Sequence, residues 1–168
     1  CYVSTNSEQL AKMVKADGFT PVFRHEKIST DEMPVKPVVT DVIAKHNLYD
    51  KEVFLYYLTS PDRKIQTFIE ALKYFRKNNF VSLMSFYKPE YSPYLMRYAD
   101  DLEPVVHNHT FEKIHRYQDY RDVIVISHYV CLFRASVLHD LDNQFFDKNL
   151  TKPFMLDAIP VDVDYKAV

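Results

Sequence analysis

A single glycine, Gly18, in 168 residues sets the first limit on what this chain can fold into. Glycine supplies the left-handed turns and close backbone approaches on which phosphate-cradling loops depend. Neither a Walker-type loop nor a dinucleotide fingerprint can be assembled around Gly18 alone. Any nucleotide chemistry must therefore use a phosphate loop of another kind, or one that is missing.

What remains is an alternation of strand and helix signals. Residues 2–5 read as a strand end. Asn6 or Ser7 can cap a helix with Leu10, Met13 and Val14 on one face, and Gly18 sits where a helix end wants a left-handed residue. Residues 19–23 read as the next strand, 24–37 as a polar loop and 38–46 as a helix. Residues 52–58 are apolar nearly throughout, as a strand covered on both faces would be, and Thr59-Ser60-Pro61 reads as a helix cap with proline at the first position. The stripe Ile65, Phe68, Ile69, Leu72 and Phe75 marks a helix over 63–77. Strands are expected at 80–86, 123–133 and 153–159, with a short helix at 134–141. Strands alternating with helices predict one α/β domain over residues 1–168, a three-layer sheet with parallel strands. Residues 87–122, rich in Tyr, Pro and His without a long period, read as an inserted arm.

Charge and composition exclude some partners. A net charge of -2 argues against a general nucleic-acid binder. No apolar run approaches the roughly 18 residues that span a bilayer. Two cysteines, Cys1 and Cys131, make no disulfide framework, so a reducing, cytoplasmic setting is expected. The chain opens on what reads as the middle of a strand and stops four residues after Asp164, so both ends are expected to be cut.

The chemistry-bearing residues gather at predicted strand ends, where open α/β sheets bind ligands. Arg24 follows the second strand, Thr59 to Arg63 follow residues 52–58, and Asp162 with Asp164 follow the last strand. Carboxylates two apart on an extended backbone point to one side and can hold Mg²⁺, which takes one or two carboxylates plus substrate phosphates. If the strands run parallel, the three pieces meet on one rim. Bland readings stand beside these: Asp162 and Asp164 as a strand end and helix cap, Thr59–Arg63 as a helix start, Arg24 as a solvated charge. His107, His109 and His115 cluster in the arm, but their spacing matches no zinc pattern. His128, inside an apolar run, reads as a core residue. The arm tyrosines suit an interface, and Arg116 and Arg121 could grip an anion.

The order of these pieces resembles the acylneuraminate cytidylyltransferases, the CMP-sialic acid synthetases. Tyr2 to Glu8 is similar to their "VSTDSEE", Arg24 with Ser29-Thr30-Asp31 to "RPAELASD", and Leu55 to Arg63 to "LLQPTSPLR". Phe80 to Ser85 is similar to "SVVSV", Arg116 to Asp119 to "RRQDLP", and Val161 to Asp164 to "IDID". The resemblance implies a mostly parallel, Rossmann-like nucleotidyltransferase sheet of glycosyltransferase-A type with a projecting arm. It implies transfer of CMP from CTP to an acidic, sialic-acid-type sugar, with Mg²⁺ held by Asp162 and Asp164. Arg24 would then contact the nucleotide, Tyr57 and Thr59 the sugar, and Arg116 an anionic group, with Asp31 and Gln118 also binding substrate; a homodimer would form through the arm. Tyr57-Leu58 stands where the family has glutamine-proline. A catalytically inactive relative serving as a binding module, and a nucleotide-sugar glycosyltransferase, remain alternatives.

Overall fold

The computed structural model describes residues 1–30, 32–106 and 116–163. Strand β1 (Tyr2–Thr5) leads into helix α1 (Glu8–Ala16), and β2 (Thr20–Phe23) returns parallel to β1. The Ser7 hydroxyl caps α1 by accepting the Leu10 amide, and Gly18 takes φ 83, as its sequence position demands. The expected apolar face of α1 is corrected: Ala11 is the buried residue, while Leu10 and Met13 are exposed. A two-stranded sheet offers only a narrow strip for the helix to cover.

Helix α2 (Val35–His46) connects this unit to the main sheet. The Lys45 ammonium donates to the Phe23 carbonyl at 2.8 Å, and the His46 ring lies 4.3 Å from that of Tyr2. From the other side of α2, Val39 and Ile43 enter the core of the larger sheet.

That sheet orders as β3 (Glu52–Leu55), β5 (Val125–Arg134), β4 (Ser82–Tyr87) and β6 (Thr151–Met155). Strands β4 and β6 pair parallel, and β5 runs antiparallel between β3 and β4. Helix α3 (Ile65–Lys77) covers the face carrying Leu83, Val130 and Leu132, through Ala71 and Phe75. The opposite face carries Met84, Phe86, Cys131 and Phe133 and packs on α2 and on Leu138, Leu141 and Phe145. Alternate residues of one strand thus feed two cores, which makes the fold three-layered.

Several expected elements differ. The strand expected over 52–58 is an edge strand, Glu52–Leu55, only partly buried, and the covered strands are β4 and the later part of β5, Tyr129 to Phe133. The closing strand begins at Thr151 and lies at the other edge, where Pro153, lacking an amide, is tolerated. The expected helix at 134–141 is a single 3-10 turn, Ala135–Val137. In the arm, Tyr98 and Glu103 close a short hairpin by a 2.9 Å backbone bond, and Tyr94 stacks on Tyr120 at 5.4 Å. No helix among the described residues is long and apolar enough to cross a membrane.

Candidate functional site

A pocket of about 380 Å³ opens at the carboxyl ends of β3 and β4. Tyr57, Thr59 and Ser60 form one wall, Tyr87 and the β5 residues Ile126 to His128 another, and Asn143 and Gln144 a third; Pro160 and Asp162 close the rim. This is where ligands collect in open α/β sheets.

The wall formed by β5 owes its shape to a register break. Met84 pairs with Cys131, but Ser85 pairs with Ser127, so His128, Tyr129 and Val130 have no opposite number on β4. A bulge of this kind bends a strand and re-aims its side chains. Two serines satisfy its backbone: the Ser85 hydroxyl donates to the Ser127 carbonyl at 2.6 Å and accepts the Val130 amide at 2.8 Å, and the Ser127 hydroxyl accepts the Tyr129 amide. His128 is thereby turned out of the core to the pocket. The sequence reading of His128 as a core residue is therefore corrected, because a strand period read along 123–133 cannot register three looped-out residues.

Arg63 locks the first two walls together. Its guanidinium donates to the Tyr57 carbonyl and, at 2.8 Å, to the His128 carbonyl. It lies 4.4 Å from the Tyr56 ring centroid and 5.6 Å from that of Tyr129. Burial lowers its pKa, opposed by the Tyr56 and Tyr129 hydroxyls and by Asp162 and Asp62. The Nε atom is buried with no hydrogen-bond partner among the described residues. Burial likewise pushes the Tyr57 hydroxyl well above the usual phenol range.

The helix start expected at Thr59-Ser60-Pro61 is also corrected. Helix α3 begins at Ile65, and the Tyr129 hydroxyl does the joining, accepting the Lys64 amide at 2.8 Å and donating to the Asp62 carbonyl at 3.0 Å. Residues 59–62 are freed to hold the tail: the Val163 amide donates to the Thr59 carbonyl at 2.9 Å, and the Val161 amide to the Asp62 carboxylate at 3.2 Å. Asp162, between those two anchors, is set on the pocket rim.

The structure thus brings Tyr57, Thr59 and Asp162 to one pocket. Arg24 does not line it; it follows β2, with its amide on the Thr5 carbonyl and its Nε buried without a partner among the described residues. Arg116 is exposed and already forked onto the Asp119 carboxylate, by two contacts of 2.9 Å, and Gln118 is exposed away from the pocket. Asp31, Asp164, His107, His109 and His115 lie outside the described residues. Asn143 and Gln144 went unrecognised in the sequence; the signal was Asp142, whose carboxylate accepts the Gln144 and Phe146 amides and folds that loop.

Among the described residues, no group of three or more His, Cys, Asp or Glu side chains is placed to hold a metal ion. A single rim carboxylate, Asp162, still fits Mg²⁺, whose remaining ligands are customarily phosphates and waters.

No protein-family model matches the chain, and neither does any curated protein. Among solved structures it is similar to a CMP:2-keto-3-deoxy-manno-octonic acid synthetase complexed with CTP, with a TM-score of 0.63 at 11% identity, over 96% of this chain and 74% of that one. The likeness spans nearly every element and establishes a Rossmann-like, nucleotidyltransferase-type α/β fold.

Proposed function

We infer that the chain is a cytidylyltransferase domain that joins CMP, taken from CTP, to an acidic sugar and releases pyrophosphate. One observation carries this reading. On a fold similar over 96% of the chain to a CTP-complexed sugar-acid synthetase, Thr59 and Asp162 meet at one strand-end pocket. The motif resemblance favours a sialic-acid-type sugar, and the structural neighbour is named for 2-keto-3-deoxy-manno-octonic acid. Both are sugar acids, and both are substrates to test.

In this reading a sugar hydroxyl forms a bond to the α-phosphorus of CTP, the bond to the pyrophosphate oxygen breaks, and the hydroxyl proton passes to solvent. The chain's residues position and balance charge rather than form covalent intermediates. Tyr57 and Thr59 hold the sugar against the β3 end. Asp162 is the described residue that would hold Mg²⁺, with Asp164 beside it in sequence; when bound, the ion offsets phosphate charge. Arg24, whose Nε lacks a partner among the described residues, contacts the nucleotide. Asp31, seven positions after Arg24 in the sequence, would bind substrate as well. Arg116 and Gln118 would approach an anion only after the Arg116 fork leaves Asp119. The arm, residues 87–122, forms the homodimer contact.

The test is pyrophosphate release from CTP in the presence of each sugar acid and Mg²⁺. Asp162→Asn is expected to lower the Mg²⁺-dependent rate at least 100-fold, on the scale of other transition-state charge contacts. Release unchanged in that variant removes Asp162 from the reaction.

A further inference from the structure

The pocket is poor in positive charge. Among its described lining residues there is no lysine or arginine, and Asp162 adds a negative group. A triphosphate placed here would meet no basic side chain among the described lining residues. A sugar acid would, by contrast, meet hydroxyls and amides from Thr59, Ser127, Asn143 and Gln144, suited to its own hydroxyls. What its carboxylate needs is one cationic donor, and among the described lining residues the side chain able to become one is His128.

The geometry fixes how that ring can act. His128 Nε2 lies 3.1 Å from the Gln144 carbonyl oxygen, which only accepts, so Nε2 carries hydrogen in either protonation state. Nδ1 is left for a ligand. The ring is braced against Tyr57, centroids 4.9 Å apart, and the His128 main-chain carbonyl is pinned by Arg63. The β5 register break exists at this point and turns this side chain outward.

We propose that His128 is the specificity-determining residue of the pocket, donating from Nδ1 to the carboxylate of the sugar-acid substrate. The assignment rests on the transferase reading above and goes further, since it names the group of the substrate that is read and the atom that reads it. A carboxylate favours the doubly protonated ring and accepts its hydrogen; a carboxamide oxygen can accept a hydrogen but has no charge with which to favour that ring.

The experiment compares wild-type protein with His128→Gln, a variant whose amide can still donate to Gln144. The substrates are 2-keto-3-deoxy-manno-octonic acid, N-acetylneuraminic acid and the carboxamide of each. Wild type should prefer acid over carboxamide about ten- to hundredfold in kcat/KM, the range of a charge-assisted hydrogen bond. His128→Gln should lose that preference through a raised KM for the acid, with a smaller change in kcat. A preference retained in His128→Gln, while CMP transfer proceeds, overturns the assignment and leaves the transferase reading standing. Binding by calorimetry without CTP separates the converse case. If acid binds wild type at least tenfold more tightly than His128→Gln but no CMP is transferred, the assignment stands and the transferase reading falls. Equal binding of acid to both proteins, or none to either, overturns the assignment. Circular dichroism melts of both proteins check that the variant is folded.

Discussion

Phe145 adopts φ 58, a left-handed conformation that a bulky residue takes only when its surroundings compel it. Here they do: the ring is fully buried, stacks on Phe133 at 5.6 Å, and sits in a loop gathered by the Asp142 carboxylate. That strain sets Gln144 beside His128, and nothing in the local sequence pattern announces it, because burial of Phe145 depends on a strand folded from residues 125–134. Ser7 and Gly18 were legible for the opposite reason, since their roles depend on neighbours within a few residues. A second residue-scale consequence concerns pH. Burial, only partly opposed by Arg63, pushes the Cys131 thiol from 9.0 up to about 12. A raised folded-state pKa means the stability it reports is complete below pH 9 and is lost as pH rises toward 12. Thermal melts across that window should show a decline of at most about 1.4 kcal/mol per pH unit from this group. Cys131→Ala, though less stable overall, should show a shallower decline, and an unchanged slope would assign the effect elsewhere.

At the scale of elements, three of the four expected helices were legible, the one at 134–141 proving a 3-10 turn, and the directions of the strands were not. The spacing from Ile65 to Phe75 located α3, but of that stripe Phe75 is buried, Phe68 and Leu72 are half-buried, and Ile65 and Ile69 are exposed. The apolar residues of β5 show that a strand is there, yet no periodicity says whether it runs with or against its neighbours. The register break is invisible for the same reason, as it depends on how β5 meets β4. The break depends on Ser85, whose hydroxyl both donates to Ser127 and accepts from Val130 inside the core. Ser85→Ala leaves those two buried backbone groups unmet, at a cost of about 1–3 kcal/mol. Because the His128 wall would relax with it, the variant should also raise the sugar-acid KM severalfold. Denaturant unfolding and steady-state kinetics check both parts, and a stability loss with KM unchanged would separate the break from the pocket.

At the scale of the whole molecule, the alternation of strand and helix correctly indicated a layered α/β chain, and a pocket lies at its strand ends. The candidate site was legible in part: Tyr57, Thr59 and Asp162 come together, and the hydrogen bonds from Val161 and Val163 to residues 59–62 supply the physical reason. Arg24 lies outside that pocket because β1 and β2 form a sheet of their own, reached through α2. His128 was missed because its outward turn belongs to the assembled sheet and to no local pattern. Under the proposed transferase reading the two substrates take two places, the sugar acid the strand-end pocket and the nucleotide the side toward Arg24. The most direct test is a crystal structure of the protein soaked with 2-keto-3-deoxy-manno-octonic acid and CTP. The sugar acid is expected between Tyr57, Thr59 and His128, its reacting hydroxyl facing a CTP α-phosphate near Asp162. Sugar density on the Arg24 side, with the strand-end pocket empty, would contradict the account.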